Sequence, residues 1–210
     1  MVHILAAVVA GFIAFPLAII AKKGSRLHVL AGRAYVIGFL GICATGYALE
    51  YDEVMKSLLL REQGVIIDSH IINSHIVITG AVNTFAAYLV VSAWRIANKH
   101  RSGPRPLFDK IFDITIALIL IFVIAIFFYA AFDSILYKEH FMRIDTKENY
   151  YALFVILWVV VIGGLIEATL DIFRATGLWT PERWWITHMR KMLLSEFGLL
   201  LAFIYRCYHP

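Results

Sequence analysis

The sequence predicts an all-α protein, a polytopic transmembrane helical bundle of about six spans, and three observations support this. Of the 210 residues, 61% are apolar and 16% are charged, whereas soluble domains carry about 25% charged residues. The apolar residues form long uncharged runs such as 114–132, which at ~1.5 Å per residue crosses most of a ~30 Å hydrocarbon layer. The connecting segments are short. We therefore expect residues 1–210 to form a single integral membrane domain.

The six spans follow from these runs in chain order. The first starts almost at Met1 without a basic leader and ends in two lysines, so we expect it to be retained as a span. The third has polar residues at its start and about thirty residues in all, which predicts a tilt or a projection into the interface. The fifth contains a Gly-Gly pair, which favours close helix packing. The predicted spans are 3–21, 28–49, 65–94, 112–136, 149–172 and 189–207.

The basic residues predict the orientation in the membrane. Six spans put loops 22–33, 95–110 and 174–191 on one side, here called side B, together with thirteen of the nineteen Lys and Arg residues. Cytoplasmic loops carry such an excess. We therefore expect a bacterial inner (plasma) membrane protein with both termini on the non-cytoplasmic side, side A. The same loops account for the net charge of +4, so no nucleic-acid partner is predicted.

Two histidines open different helices on side B. His28 follows the first basic loop, and Gly32 lies one turn further along the same face, where a small residue lets a flat ring approach. His188 opens the last span. Such a pair could be the axial ligands of a b-type haem, with Arg33 and Arg190 near its propionates. The alternative is that both rings bond loop carbonyls or lipid phosphate.

A second polar group is predicted on side A. His75 shares a face of the third span with Asp68, and His3 opens the first span on the same side. A second haem, or a metal site of these three residues, is one interpretation, and a polar seam between helices is the other. The two cysteines, Cys43 and Cys207, suggest neither a disulfide framework nor a Cys-ligated metal.

Carboxylates inside the spans cost about 2.5–3.5 kcal/mol each on insertion scales, so each needs a reason. Glu167, Asp171 and Arg174 follow one another at helical spacing in the fifth span. A structural ion-pair network is the simpler interpretation. A proton path to a bound quinone, extended by Glu196 in the last span, is the functional alternative.

Two short motifs carry a resemblance. Residues 23–36, KGSRLHVLAGRAYV, resemble the KGxxxHxxxGRxYV signature of a bacterial family of multi-pass membrane proteins of unknown function. Residues 188–192, HMRKM, are similar to its HxxRM stretch, although the arginine here follows the histidine by two residues instead of three. The resemblance implies the multi-pass fold, draws attention to His28, Arg33 and His188, and brings no established activity.

The placement of histidines at the ends of antiparallel helices is also similar to that of di-haem membrane cytochromes of the b561 and ferric-reductase kind, a likeness of architecture alone. We expect a b-type-haem electron-transfer protein or cytochrome-like subunit that works with quinone. The alternatives are a non-enzymatic accessory or assembly subunit of a larger membrane complex and a small proton-coupled transporter. The expected partners are the lipid bilayer and a larger complex or a second copy of the chain. No nucleotide-binding or hydrolase motif occurs in the sequence.

Overall fold

The computed structural model describes residues 2–63, 69–99, 106–136, 147–179 and 183–208, with side chains mainly at 2–52, 80–98, 106–126, 158–179 and 183–200. This part of the chain forms six helices and no strand, which confirms the predicted all-α class. The helices are α1 (Val2–Ile20), α2 (Arg26–Glu62), α3 (Ser69–Lys99), α4 (Leu107–Leu136), α5 (Lys147–Thr176) and α6 (Trp184–Tyr208).

Each predicted span overlaps one helix, and α2 differs most from its prediction. The span was expected to end at residue 49, but the helix continues to Glu62. Asp52 and Lys56 form an i,i+4 ion pair on these extra turns, which supports a helix outside the apolar run. Hydropathy predicts only the apolar part of a helix, whereas helical hydrogen bonding continues into the polar residues beyond it. Residues 65–68 of the third predicted span lie outside the described residues.

Two described segments, Val2–Ile20 and Arg26–Lys56, are long and apolar enough to cross a membrane. This finding concerns their length and composition. Membrane crossing by these two helices and by the other four stays a prediction.

The first helix changes its hydrogen-bonding pattern halfway. It is α-helical at Val2–Ala7 and Phe15–Ile20 and π-helical at Val8–Ala14. The wide turns end at Ala14, two residues before Pro16, which has no N–H group and would press on the carbonyl four residues earlier in a regular helix. Single wide turns of this kind are common at functional sites.

The chain groups into two compact units. The first consists of Met1–Gly46, Ala86–Arg105 and Pro181–Pro210, and the second of Tyr47–Phe85 and Pro106–Thr180. The prediction of a single domain over residues 1–210 stays a prediction.

Small residues let α1 and α2 pack closely in the first unit. Ala10 and Ala14 of α1 are buried against Tyr35 and Phe39 of α2. A Cβ added at Gly38 would lie 3.1 Å from the Cβ of Ala10. The core of this unit is therefore a tight seam that also contains one tyrosine.

In the second unit, α4 and α5 pack along each other. A Cβ added at Gly164 would lie 2.4 Å from Cδ1 of Ile124, and one added at Gly163 would lie 3.4 Å from the Phe85 ring. The close packing predicted from the Gly-Gly pair is therefore present.

Candidate functional site

A turn and a helix cap fix His28 at the start of α2. Gly24 has a φ of 79°, a value that glycine adopts without strain, and the Ser25 N–H donates to the Lys22 carbonyl at 2.9 Å. The Ser25 hydroxyl then accepts the N–H of His28 at 3.2 Å, as expected of an N-cap serine. The cap sets the first helical residue, so His28 lies in the first turn.

The rings of His28 and His188 are oriented in the same way. Nδ1 of His28 lies 2.8 Å from the carbonyl oxygen of Ala18 in α1. Nδ1 of His188, in the first turn of α6, lies 2.9 Å from the carbonyl oxygen of Ala93 in α3. A carbonyl oxygen only accepts, so Nδ1 carries the proton in both rings and Nε2 keeps its lone pair. Each ring thus has one nitrogen bonded to the backbone and the other available as a ligand.

The two histidines lie at the same end of the first unit. The Lys23 ammonium, in the turn before α2, lies 4.5 Å from the ring centroid of Trp185 in α6. The Trp184 ring lies beside His188, with centroids 6.3 Å apart. The structure therefore brings together the two histidines that the sequence singled out on side B.

His28 and His188 carry the type of donor atom that a bis-histidine haem uses. Histidines that bind iron commonly donate the other ring N–H to a carbonyl, because that bond fixes the tautomer and orients the ring. No atom lies within 4 Å of a Cβ added at Gly32, one turn after His28, so there is open space on this face. Arg33 is exposed and Arg190 is half-buried. Among the described side chains no three His, Cys, Asp or Glu residues form a metal-binding group, and two axial ligands do not require one.

His3 lies at the start of α1, whereas Ala18, which His28 contacts, lies near its end. At ~1.5 Å per residue these two positions are about 22 Å apart along the helix. Its Nδ1 lies 2.8 Å from the hydroxyl of Thr45 in α2. Thr45 itself donates to the Gly41 carbonyl at 2.7 Å, so the imidazole is the donor. This bond joins the start of α1 to α2.

The rest of the predicted side A group is not described at the level of side chains. His75 lies within α3, but its side chain, like the whole of Asp68, is outside the described residues. The second haem and the metal site proposed for this group stay predictions.

In the second unit, a buried ion pair lies on α5. Glu167, Asp171 and Arg174 are all buried. Nη1 of Arg174 donates to Oδ1 of Asp171 at 2.7 Å, and the guanidinium lies 5.6 Å from the Trp179 ring centroid. The ion pair that the sequence predicted for this face is present.

The last helix turns polar side chains inward and apolar ones outward. Thr187, Lys191 and Ser195 recur every four residues and are buried, whereas Phe197 is 58% exposed. The Lys191 ammonium lies 4.9 Å from the ring centroid of Tyr88 in α3. The buried face of α6 is thus polar, which a soluble amphipathic helix would not show.

Glu196 lies next to this face in a cluster of hydroxyl groups. The hydroxyls of Tyr35 and Ser195 are 2.8 Å apart, and Ser195 donates to the Met192 carbonyl at 2.8 Å. Oε2 of Glu196 is buried and has no hydrogen-bond partner among the described residues. Oε1 lies 2.9 Å from the position of a Cβ added at Gly11, in the π-helical segment.

Sequence reasoning identified Glu196 but missed Tyr35 and Gly11. The available signals were weak. Tyr35 follows His28 by seven residues and so shares its helix face, and Gly11 interrupts an otherwise larger apolar run.

Two candidate centres therefore lie in the first unit, the paired histidines at one end and the Glu196 cluster in its interior. The second unit holds the ion pair of α5. Comparison with known protein families, with curated proteins and with solved structures gives no match to this chain.

Proposed function

We propose that this protein is a membrane-embedded b-type-haem electron-transfer protein, or a cytochrome-like subunit, that works with quinone. One observation carries the proposal. His28 and His188 lie at the same end of one unit, and both donate Nδ1–H to a backbone carbonyl. This leaves two Nε2 atoms with lone pairs, the donor set of a bis-histidine haem.

The distribution of polar and apolar side chains supports a lipid environment. Ile37 is 72% exposed and Phe122 is 65% exposed, while Lys191 is fully buried. In water this arrangement would leave large apolar surface exposed. In a bilayer it is the expected one, because ionisable residues face the protein interior. We extend the two apolar segments found to six spans in a bacterial inner membrane, with the basic loops cytoplasmic.

In this proposal His28 and His188 would hold the haem, and Arg33 and Arg190 would pair with its propionates. The bound haem would supply reversible one-electron chemistry. The carbonyls of Ala18 and Ala93 keep the imidazole rings in the tautomer that leaves Nε2 unprotonated. Such a bond to Nδ1–H also makes the ligand nitrogen more basic.

A second candidate is an accessory or assembly subunit. The same two hydrogen bonds favour it, because they fasten the start of α2 to α1 and the start of α6 to α3. On this view the histidines serve helix packing alone.

One pair of substitutions separates the two functions. In His28→Asn and His188→Asn the amide N–H lies near the position of Nδ1–H, so the backbone bond is retained while the Nε2 ligand is removed. His140→Ala, at a histidine assigned to no site, is the control. The absorbance spectrum of protein purified from cells supplied with haem is measured. The electron-transfer proposal predicts a Soret band that is lost or shifted in both asparagine variants and unchanged in the control. A colourless, folded protein, or a Soret band that survives both substitutions, would overturn it.

A further inference from the structure

We propose that Glu196 is a proton-binding site, whose buried carboxyl takes up and releases a proton. The inference goes beyond haem binding and does not depend on it. It rests on a residue that is 5% exposed, whose Oε2 has no hydrogen-bond partner among the described residues, next to the paired hydroxyls of Tyr35 and Ser195.

The directions of the hydrogen bonds favour a proton on Glu196. The Ser195 hydroxyl donates to the Met192 carbonyl, so its oxygen accepts from Tyr35. A hydroxyl has one proton, and that of Tyr35 is then used. The Tyr35 hydroxyl is therefore not available to donate to Glu196, and Oε2 of Glu196 has no hydrogen-bond partner among the described residues. A buried carboxylate without hydrogen bonds is costly, so the acid form is favoured. The chain of donors runs in one direction, from Tyr35 through Ser195 to the backbone.

The same groups can also accommodate the carboxylate. If the Tyr35 hydroxyl turns from Ser195 to Glu196, it donates to the negative oxygen, and Ser195 keeps its bond to the Met192 carbonyl. The proton of Glu196 leaves to water, and the negative charge remains on its carboxylate. Two hydrogen-bonding arrangements that differ by one rotation thus correspond to the two protonation states.

Charged and titratable groups near the cluster come from each neighbouring helix. Within α1 the sole titratable side chain is that of His3, which is bonded to Thr45. α2 contributes Tyr35 and the buried thiol of Cys43. α3 contributes Tyr88, whose ring faces the ammonium of Lys191 from α6.

Gly11 provides the space that the carboxyl occupies. A Cβ there would lie 2.9 Å from Oε1 of Glu196 and 3.1 Å from Cδ2 of Leu199. Gly11 belongs to the π-helical segment Val8–Ala14, so the wide turns of α1 and the carboxyl of α6 meet at one point. Wide turns of this kind are common at functional sites.

Dicyclohexylcarbodiimide tests the proposal in membranes that contain the full chain. This apolar reagent adds whole to a protonated carboxyl: the acid proton goes to a reagent nitrogen, the carboxyl oxygen bonds to the central carbon, and the acyl group then migrates to nitrogen. Peptide mass spectrometry locates the adduct. We expect labelling at Glu196 that disappears in Glu196→Gln and persists in Glu62→Gln, which alters an exposed carboxyl. No adduct at Glu196 in the unsubstituted protein would overturn the proposal.

The pH dependence separates an exchanging proton from a fixed one. Labelling of Glu196 should fall as the pH rises, because only the acid reacts. In Tyr35→Phe the carboxylate loses its donor, so labelling should extend to higher pH, by about one unit for a loss of about 1.4 kcal/mol. Labelling that is constant from acid to alkaline pH in the unsubstituted protein would show a permanently neutral acid and refute proton exchange.

Discussion

Two acidic residues, one in each unit, are buried to a similar extent, but the groups that surround their carboxyls differ. Asp171 of α5 is 7% exposed and accepts a hydrogen bond from Arg174 at 2.7 Å. Glu196 of α6 is 5% exposed, and its Oε2 has no hydrogen-bond partner among the described residues. An ion pair favours the charged form of a carboxyl, whereas burial without a hydrogen-bond donor favours the neutral form. The neighbouring side chain, and not the extent of burial, therefore determines which acid can exchange a proton.

Among the substitutions that test this comparison, Arg174→Met should have the largest effect on stability. It removes the guanidinium that donates to the buried Asp171 carboxyl, and breaking a buried ion pair typically costs about 3–5 kcal/mol. We expect a large fall in the thermal unfolding midpoint in detergent. The double variant with Asp171→Leu should recover much of the loss, because a buried ion pair can often be replaced by apolar residues.

The exposed pair of α2 provides the control. Lys56 and Asp52 are ion-paired with side chains 67% and 57% exposed, and pairs of this kind contribute about 0–1 kcal/mol. Lys56→Met should therefore hardly change the unfolding midpoint. If Arg174→Met were equally mild, the pair on α5 would not hold Asp171 in its charged form.

Gly11→Ala should have an intermediate effect. The new methyl group meets Oε1 of Glu196 and Cδ2 of Leu199, both at the ends of flexible side chains, so we expect a loss at the low end of the overpacking range, about 1 kcal/mol. In a double-mutant cycle with Glu196→Ala the two changes should be non-additive, because truncation removes one of the clashing atoms.

Gly198→Ala is the matched control for this substitution, because no atom lies within 4 Å of a Cβ added there. It should be neutral or stabilising, as a helical glycine is less favourable than alanine by roughly 0.5–1 kcal/mol. Additive energies in the Gly11 and Glu196 cycle would show that the two residues do not share the space described.

The helices were predictable because long apolar runs have few other structures available to them. The position of His28 and His188 at the same end was predicted because each lies at the start of a span and the number of spans between them puts both on one side. The extension of α2 to Glu62 did not, since hydropathy carries no information on where a polar helix ends outside lipid. α6 likewise begins at Trp184, before the predicted span 189–207.

The cluster around Glu196 could not be predicted from sequence, because its members come from three helices. Gly11, Tyr35 and Ser195 are far apart in the chain, and each is unremarkable alone. The wide turns of α1 decide where Gly11 lies, and hydrogen-bond direction decides what Tyr35 does. Both depend on packing that a single sequence does not encode as a pattern.

Glu196→Gln should have a small effect on stability and is the sharpest test of the comparison. If Glu196 is a neutral acid in the resting protein, the amide matches it in size and polarity and leaves the buried site uncharged. We expect the unfolding free energy to change by less than about 1 kcal/mol, measured by thermal unfolding in detergent, whereas Asp171→Asn should cost more because it removes a paired charge. A loss in Glu196→Gln as large as that in Arg174→Met would mean that Glu196 is a paired carboxylate, and the two acids would then be equivalent.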